Sequence, residues 1–129
     1  MEIAQWRPGV GDCFLISSGT VGKHFFVLVL EIEDAKPPQV LLIPICSLRD
    51  AARADTTCIL QPGEHDFIQH ESFAEYRHAR VELSIHVQKC VENGVFIKHT
   101  PATIPLVEKI KEGLVKSRFV ARHIKTLLR

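Results

Sequence analysis

Two long apolar runs stand almost back to back early in this chain, and they leave it few ways to fold. His24-Phe25-Phe26-Val27-Leu28-Val29-Leu30-Glu31-Ile32 is rich in β-branched and aromatic residues, which suit a pleated, packed surface. Val40-Leu41-Leu42-Ile43-Pro44-Ile45-Cys46 follows after Asp34-Ala35-Lys36-Pro37-Pro38, a break whose prolines cannot sit in a central strand. Each run reads as one strand. The first is continuously apolar, so its middle is expected to be covered on both faces. Pro44 predicts a bulge or an edge in the second.

Shorter extended segments surround these two. Gly9 and Gly11 mark a turn before a strand over residues 13–16. Residues 17–22 have loop composition, short enough to join antiparallel strands. Residues 47–56 read as a loop or a single helical turn, and residues 57–60 as a fourth strand ended by Gln61-Pro62-Gly63. Residues 79–83 read as a fifth strand, with 75–80 alternatively the end of a helical turn. Short turns between strands indicate a small antiparallel barrel or sandwich rather than a βαβ fold, and the expectation taken forward is a strongly bent barrel over residues 9–83. From Ser84 the apolar period changes. Ser84 as N-cap and Asn93-Gly94 as stop bound a first helix, and residues 95–97 are briefly extended. Thr100-Pro101 reads as a cap with a first-turn proline. Ile104, Val107, Ile110 and Leu114 then mark an amphipathic helix. Phe119, Val120, Ile124, Leu127 and Leu128 mark a last one. The expectation is a mainly β fold with α: one domain over 1–129, a small antiparallel barrel at 9–83, and two or three helices at 84–129 packed on it.

The net charge of +1 selects no partner, but its distribution is uneven. Residues 1–85 hold 7 Lys/Arg against 12 Asp/Glu, and residues 86–129 hold 9 against 3. A basic tail of this kind suits an anionic partner or a solvated helical face. The four cysteines, Cys13, Cys46, Cys58 and Cys90, form no C-x-x-C pair, which predicts free thiols in a reducing compartment. Cys46 is expected to be buried and inert. The opening residues lack a basic segment followed by an apolar one, so no signal peptide is expected. The longest uninterrupted apolar stretch, residues 25–30, is too short to span a bilayer. The expected setting is cytoplasmic, with no membrane association.

Most of the polar chemistry sits in Pro62-Gly63-Glu64-His65-Asp66-Phe67-Ile68-Gln69-His70-Glu71-Ser72-Phe73-Ala74-Glu75-Tyr76-Arg77-His78-Ala79-Arg80. Two chemistries fit these residue types. His65, His70 and His78 with Glu64, Asp66 and Glu71 offer metal ligands, although their spacings match no known signature and no metal is assigned. Phosphodiester cleavage needs a base, an acid and cations for the developing charge. His70, or else His65, supplies an imidazole, and Glu71 is an alternative base. Arg77 or Arg80 supplies the planar fork that holds phosphate. The competing reading pairs these arginines with Glu71, Glu75 or Glu82 on the surface. No glycine-rich nucleotide motif and no G-x-S-x-G elbow is present, so no cofactor is expected.

Gly11-Asp12-Cys13-Phe14, the long second strand and Pro44-Ile45-Cys46-Ser47 together resemble the PemK/MazF-type toxins. That family opens its first strand with Gly-Asp and carries Pro-Ile-Thr-Ser where this chain has Pro44-Ile45-Cys46-Ser47, at the end of the 40–47 segment. The resemblance covers residues 9–60 and, more loosely, 76–83. It implies an SH3-like barrel, a homodimer, and a bacterial, metal-independent endoribonuclease inhibited by an antitoxin-like protein partner. It places Ser47 near the RNA and Arg77 or Arg80 on the phosphate. Where the family has a basic Arg-Pro pair before its second strand, this chain has Lys23-His24-Phe25, and Cys46 stands for the threonine. The alternative reading is a non-catalytic barrel module that binds a protein partner or nucleic acid.

Overall fold

The computed structural model describes residues 6–17 and 22–128. The predicted 17–22 loop therefore lies largely outside the described residues. The two apolar runs form the central pair of one antiparallel sheet, β2 (Lys23–Ile32) and β3 (Gln39–Ser47). β1 (Cys13–Ser17) flanks β2. On the other side of β3 lie β5 (Ser72–Ala74) and then β4 (Ile59–Leu60). β6 (Arg80–Leu83) also pairs with β3, further along the same edge. Three helices follow or interrupt the strands: α1 (Ser84–Glu92), α2 (Ile104–Lys116) and α3 (Arg122–Leu127).

The sheet does not close into a barrel: β4 and β7 (Phe96–His99) end its path without pairing. β7 itself is a departure from the expected plan. The run expected to be briefly extended within the helical tail, residues 95–97, is extended as β7 but returns to the sheet and pairs with β1, from Cys13 opposite His99 to Ile16 opposite Phe96. An isolated extended run of this length carries no sign of which strand it will join.

Continuous hydrophobicity in β2 is explained by helices on both sides. Phe25, Val27, Val29, Leu41 and Ile43 pack against Val107, Ile110, Leu114 and Ile124 of α2 and α3. Phe26, Leu28, Val40 and Leu42 pack on the opposite face with Val87 and Cys90 of α1 and with Phe96. The bulge falls in β2, between Leu28 and Leu30, rather than at Pro44. Gly11 has φ 98°, a conformation open mainly to glycine. It lets the chain turn into β1, with Gly11 N–H donating to Leu28 O and the Asp12 carboxylate accepting from Gly9 N–H. The Gly-Asp pair thus has a structural task.

Pro44 lies inside the sheet, against expectation, and the geometry shows how. β5 pairs with Ile45 to Ser47 and β6 with Gln39 to Leu42. Between them the partner chain spends five residues, 75–79, while β3 advances over only two, Ile43 and Pro44. The Pro44 carbonyl accepts from Glu75 N–H at 2.8 Å. Within a strand the N and O of one residue point the same way, so the donor that proline lacks faces this excursion, where no ladder bond is required. A 3-10 turn, Tyr76–His78, fills it, in line with the alternative reading of 75–80.

Helix ends differ in detail from expectation. Ser84 lies inside α1, and Leu83 occupies the cap without a side-chain bond. For α2 the cap is Thr103, whose Oγ accepts from Leu106 N–H, with Pro105 in the first turn. Thr100-Pro101 precedes it as loop.

Tyr76 is fully buried, and its hydroxyl donates to Ile110 O at 2.7 Å. Gly113 lies under the same ring: a methyl there would overlap the hydroxyl and come within 2.9 Å of Cys58 Cβ. Gly113→Ala is therefore expected to destabilise by about 1–3 kcal/mol through overpacking, outweighing a gain of about 1 kcal/mol in helix propensity. Urea midpoints test this, with Val115→Ala on the exposed side of α2 as the near-neutral control.

Asp55 is buried and ties the 48–58 loop to the end of α2, accepting from Ser117 Oγ at 2.7 Å and from Thr57 Oγ at 2.6 Å. Burial pushes its carboxyl up, but these bonds, Thr57 N–H and the Arg77 charge outweigh that and hold it below the usual range. A depressed folded value stabilises fully above the unfolded pKa, near 3.8, and the benefit fades as pH falls through the folded value. Asp55→Asn should flatten this acid limb of the unfolding midpoint against pH; an unchanged limb would assign it to other carboxylates.

Candidate functional site: a groove beside the strand break

The 75–79 excursion leaves one part of the α1 face of the sheet uncovered. There a groove of about 730 Å³ is lined by His24 and Phe26 of β2, Pro44 and Cys46 of β3, Glu75, Arg77 and His78 of the excursion, and Ala79 and Arg80. Its floor is apolar and its rim carries two imidazoles and two guanidiniums.

The two arginines differ. Arg80 donates from Nε and Nη2 to Glu82 Oε1, at 3.0 and 2.6 Å, and its guanidinium lies over the rings of Phe26 and Phe96. The pairing anticipated as the alternative to a site thus holds for Arg80, and fixes its direction. Arg77 has no acidic side chain within ion-pair distance among the described residues. Its guanidinium lies 4.5 Å from the centre of the Phe119 ring, and that of Arg118 lies 5.5 Å from the same centre. Phe119 therefore gathers two cations beside the groove, one from each half of the chain. Glu75 anchors the turn by accepting from Arg77 N–H, and its other carboxylate oxygen lies 3.9 Å from His78 Nδ1.

Cys46 is half-buried in the groove wall rather than fully enclosed. Burial, and then the Glu75 charge, push its thiol above the ordinary value, so it stands in the groove as a neutral weak donor and not as a thiolate nucleophile.

The residues singled out in the sequence are divided between two places. Arg77 and Arg80 line the groove. Ser47 and His70 line a separate hollow on the other face of the sheet, with Ile45, Asp66, Phe67 and His99. Residues alternate faces along a strand, so Cys46 meets the groove while Ser47 turns away from it. The convergence of His70 with an arginine, and the placing of Ser47 beside that phosphate, are not what the fold provides. His65 is buried and structural. Its Nε2 lies 2.6 Å from Thr100 O, and its Nδ1 accepts from Phe67 N–H at 2.9 Å. One neutral tautomer satisfies both contacts, because a carbonyl can only accept. No three His, Cys, Asp or Glu side chains gather to hold a metal ion among the described residues.

Sequence reasoning passed over His24 as a site residue and named His78 only as a possible metal ligand. A signal for His24 existed, since it stands at the position of the basic pair in the family resemblance. Nothing local marked Phe119, whose role depends on α2 and the excursion meeting. No helix among the described residues is long and apolar enough to cross a membrane. No protein-family model matches the chain, and no curated protein matches it.

Alkylation of Cys46, followed by peptide mapping, tests the state of its thiol. Its rate should keep rising above pH 9.0, the ordinary thiol value, because the thiolate is the reactive form. A plateau below that pH would mean an activated cysteine.

Proposed function

We propose that this protein is a toxin-like endoribonuclease of the bacterial toxin–antitoxin kind, which binds single-stranded RNA in the groove and cleaves it. One observation carries the reading: His24, Cys46, Arg77, His78 and Arg80, from three distant parts of the sequence, line one groove. His24 and Cys46 stand where the PemK/MazF-type toxins have their basic pair and their threonine. On this reading the open antiparallel sheet is the counterpart of their small barrel, with its β4 and β7 ends unjoined.

The chemistry follows from the groups present. The substrate's own 2′-hydroxyl attacks the adjacent phosphorus, and the 5′-oxygen of the next nucleotide leaves. His78, oriented by Glu75, takes the hydroxyl proton. His24, across the groove, gives a proton to the leaving oxygen. Arg77 neutralises the phosphorane, since Arg80 already shares its charge with Glu82. The products are a 2′,3′-cyclic phosphate and a 5′-hydroxyl, so the bonds broken and formed balance without water. Phe26 and Pro44 give the groove an apolar floor, where such charge interactions are stronger than in water.

Cleavage of a mixed-sequence RNA by the full chain, with product ends identified by mass, tests this. His78→Ala and Arg77→Gln should each lower the rate by about 100-fold or more while leaving the unfolding midpoint near that of the parent, because both side chains are exposed. A single 2′-deoxy nucleotide at the cut should block it. Undiminished cleavage in both variants, or products without the cyclic phosphate, would sink the mechanism. Absence of any RNA binding at low salt would sink the function.

A further inference from the structure

We infer that the hollow on the opposite face, around Phe67, is a pocket for an unpaired nucleobase of the same RNA, an inference that rests on the groove reading above. The hollow has a volume of about 420 Å³, ample for one base.

The first support is the state of Phe67. Its ring is stacked on Phe25, with centres 4.5 Å apart and planes 12° apart, and the His99 ring meets it edge-on at 5.5 Å. Phe25 is in turn buried and touches His65 and His99. One face of Phe67 is thus held by a rigid aromatic cluster. Yet the residue is 39% exposed, in a chain whose other described phenylalanines are buried or half-buried. A large apolar ring held flat and left open is costly in water and matches the way unpaired bases are bound, by stacking on a fixed aromatic face.

The second support is the polar rim. The His99 Nδ1 accepts from Thr100 N–H at 2.9 Å, which leaves Nε2 as the donor of the neutral ring. Asp66, Ser47 and His70 line the same hollow, and none of their side chains is engaged in a hydrogen bond or ion pair among the described residues. An acceptor, a donor and a hydroxyl around one ring face are the complement that a base edge requires. The bland reading, a loop phenylalanine that merely seals the core, accounts for the Phe25 stack but not for the exposed face or the unengaged rim.

The third support is position. Cys46 lines the groove and Ser47 lines the hollow, so the two sites adjoin at one end of β3, on opposite faces. Lys23, exposed at the start of β2, lies at that same end, since β2 and β3 run antiparallel with Phe25 opposite Ile45. A strand whose phosphate sits in the groove reaches the hollow by passing over this end of the sheet.

The test uses the full chain and a fluorescent six-nucleotide RNA carrying 5-iodouridine at each position in turn, with 2′-O-methyl sugars so that it is bound but not cut. Phe67→Leu should weaken binding by roughly 5- to 150-fold, the range of about 1–3 kcal/mol per stacked base. Phe67→Trp should bind within about twofold of the parent and show quenched indole fluorescence when RNA is added. Photocrosslinking of the parent should label the peptide holding Phe67 from one position of the RNA only. If the parent binds and Arg77→Gln weakens it, but Phe67→Leu binds normally and no crosslink reaches residues 65–72, the pocket is refuted and the groove reading stands. If the parent does not bind RNA, both fall. Should Phe67→Leu prove unfolded by circular dichroism, the crosslink and the Phe67→Trp quench decide alone.

Discussion

The Tyr76 hydroxyl bonded to the Ile110 carbonyl, with the ring lying over Gly113, is the contact on which the rest of this structure turns. It joins the two halves of the chain through a single buried side chain. Tyr76 begins the 3-10 turn that presents Arg77 and His78. Its burial therefore does two things at once: it clamps α2 to the sheet, and it sets the direction in which the next two residues leave the core. Burial pushes the phenol far above its ordinary value, so the bond to Ile110 keeps its proton across all ordinary pH. Asp55, bonded to Ser117 and close enough to feel the Arg77 charge, braces the same junction from the other side. A groove built this way owes its wall to the core beneath it, and mutations in α2 far from any polar residue should be felt there.

A similar economy holds at the sheet ends. β4 and β7 do not pair, but the loop between β4 and β5 reaches across and touches the end of β7 through side chains. His65 bonds Thr100 O, and Phe67 packs on Phe25 and His99. Aromatic contact takes over where backbone pairing stops. Such contacts hold by area and shape rather than by a ladder, which leaves one ring face open to solvent. The histidine-rich stretch thereby separates into parts with different tasks: His65 inside the joint, His70 on the rim of the hollow, and His78 on the groove.

Much of the scaffold was legible in the sequence because it depends on local pattern. Residues 24–32 and 40–46 could hardly be other than strands, and the continuous apolar run of the first announced cover on both its faces. The 104–114 periodicity marked α2. What could not be read was pairing between distant segments. Phe96–His99 has the composition of any short extended run, and only its meeting with β1 makes it β7 and keeps the sheet open at that end. The 3-residue β5 was invisible for the same reason: Ser72-Phe73-Ala74 gains its conformation from β3, not from propensity. For the candidate site, the sequence offered residue types but not the face on which each would stand. Arg77 lines the groove and His70 the hollow on the opposite face, a division set by how the loop and the 3-10 turn leave the sheet, which no composition reveals. Ser47, one residue from Cys46, shows how a single step along a strand moves a group to the far side of the molecule.

Pro44 shows the same logic from the standpoint of what is forbidden. Every other residue along that edge of β3 has an amide with which a neighbouring strand could be zipped on, and a sheet left to itself tends to complete its ladder. At Pro44 the carbonyl is taken by Glu75 N–H and there is no amide to offer. A straight strand running from residue 72 to 83 would forgo a bond at that point, and the chain instead leaves the sheet for five residues and comes back. The opening above Phe26 and Cys46 is thus a seam that the covalent structure keeps from healing: one pyrrolidine ring, buried in a strand, holds a gap in a sheet that is otherwise hydrogen-bonded along its length.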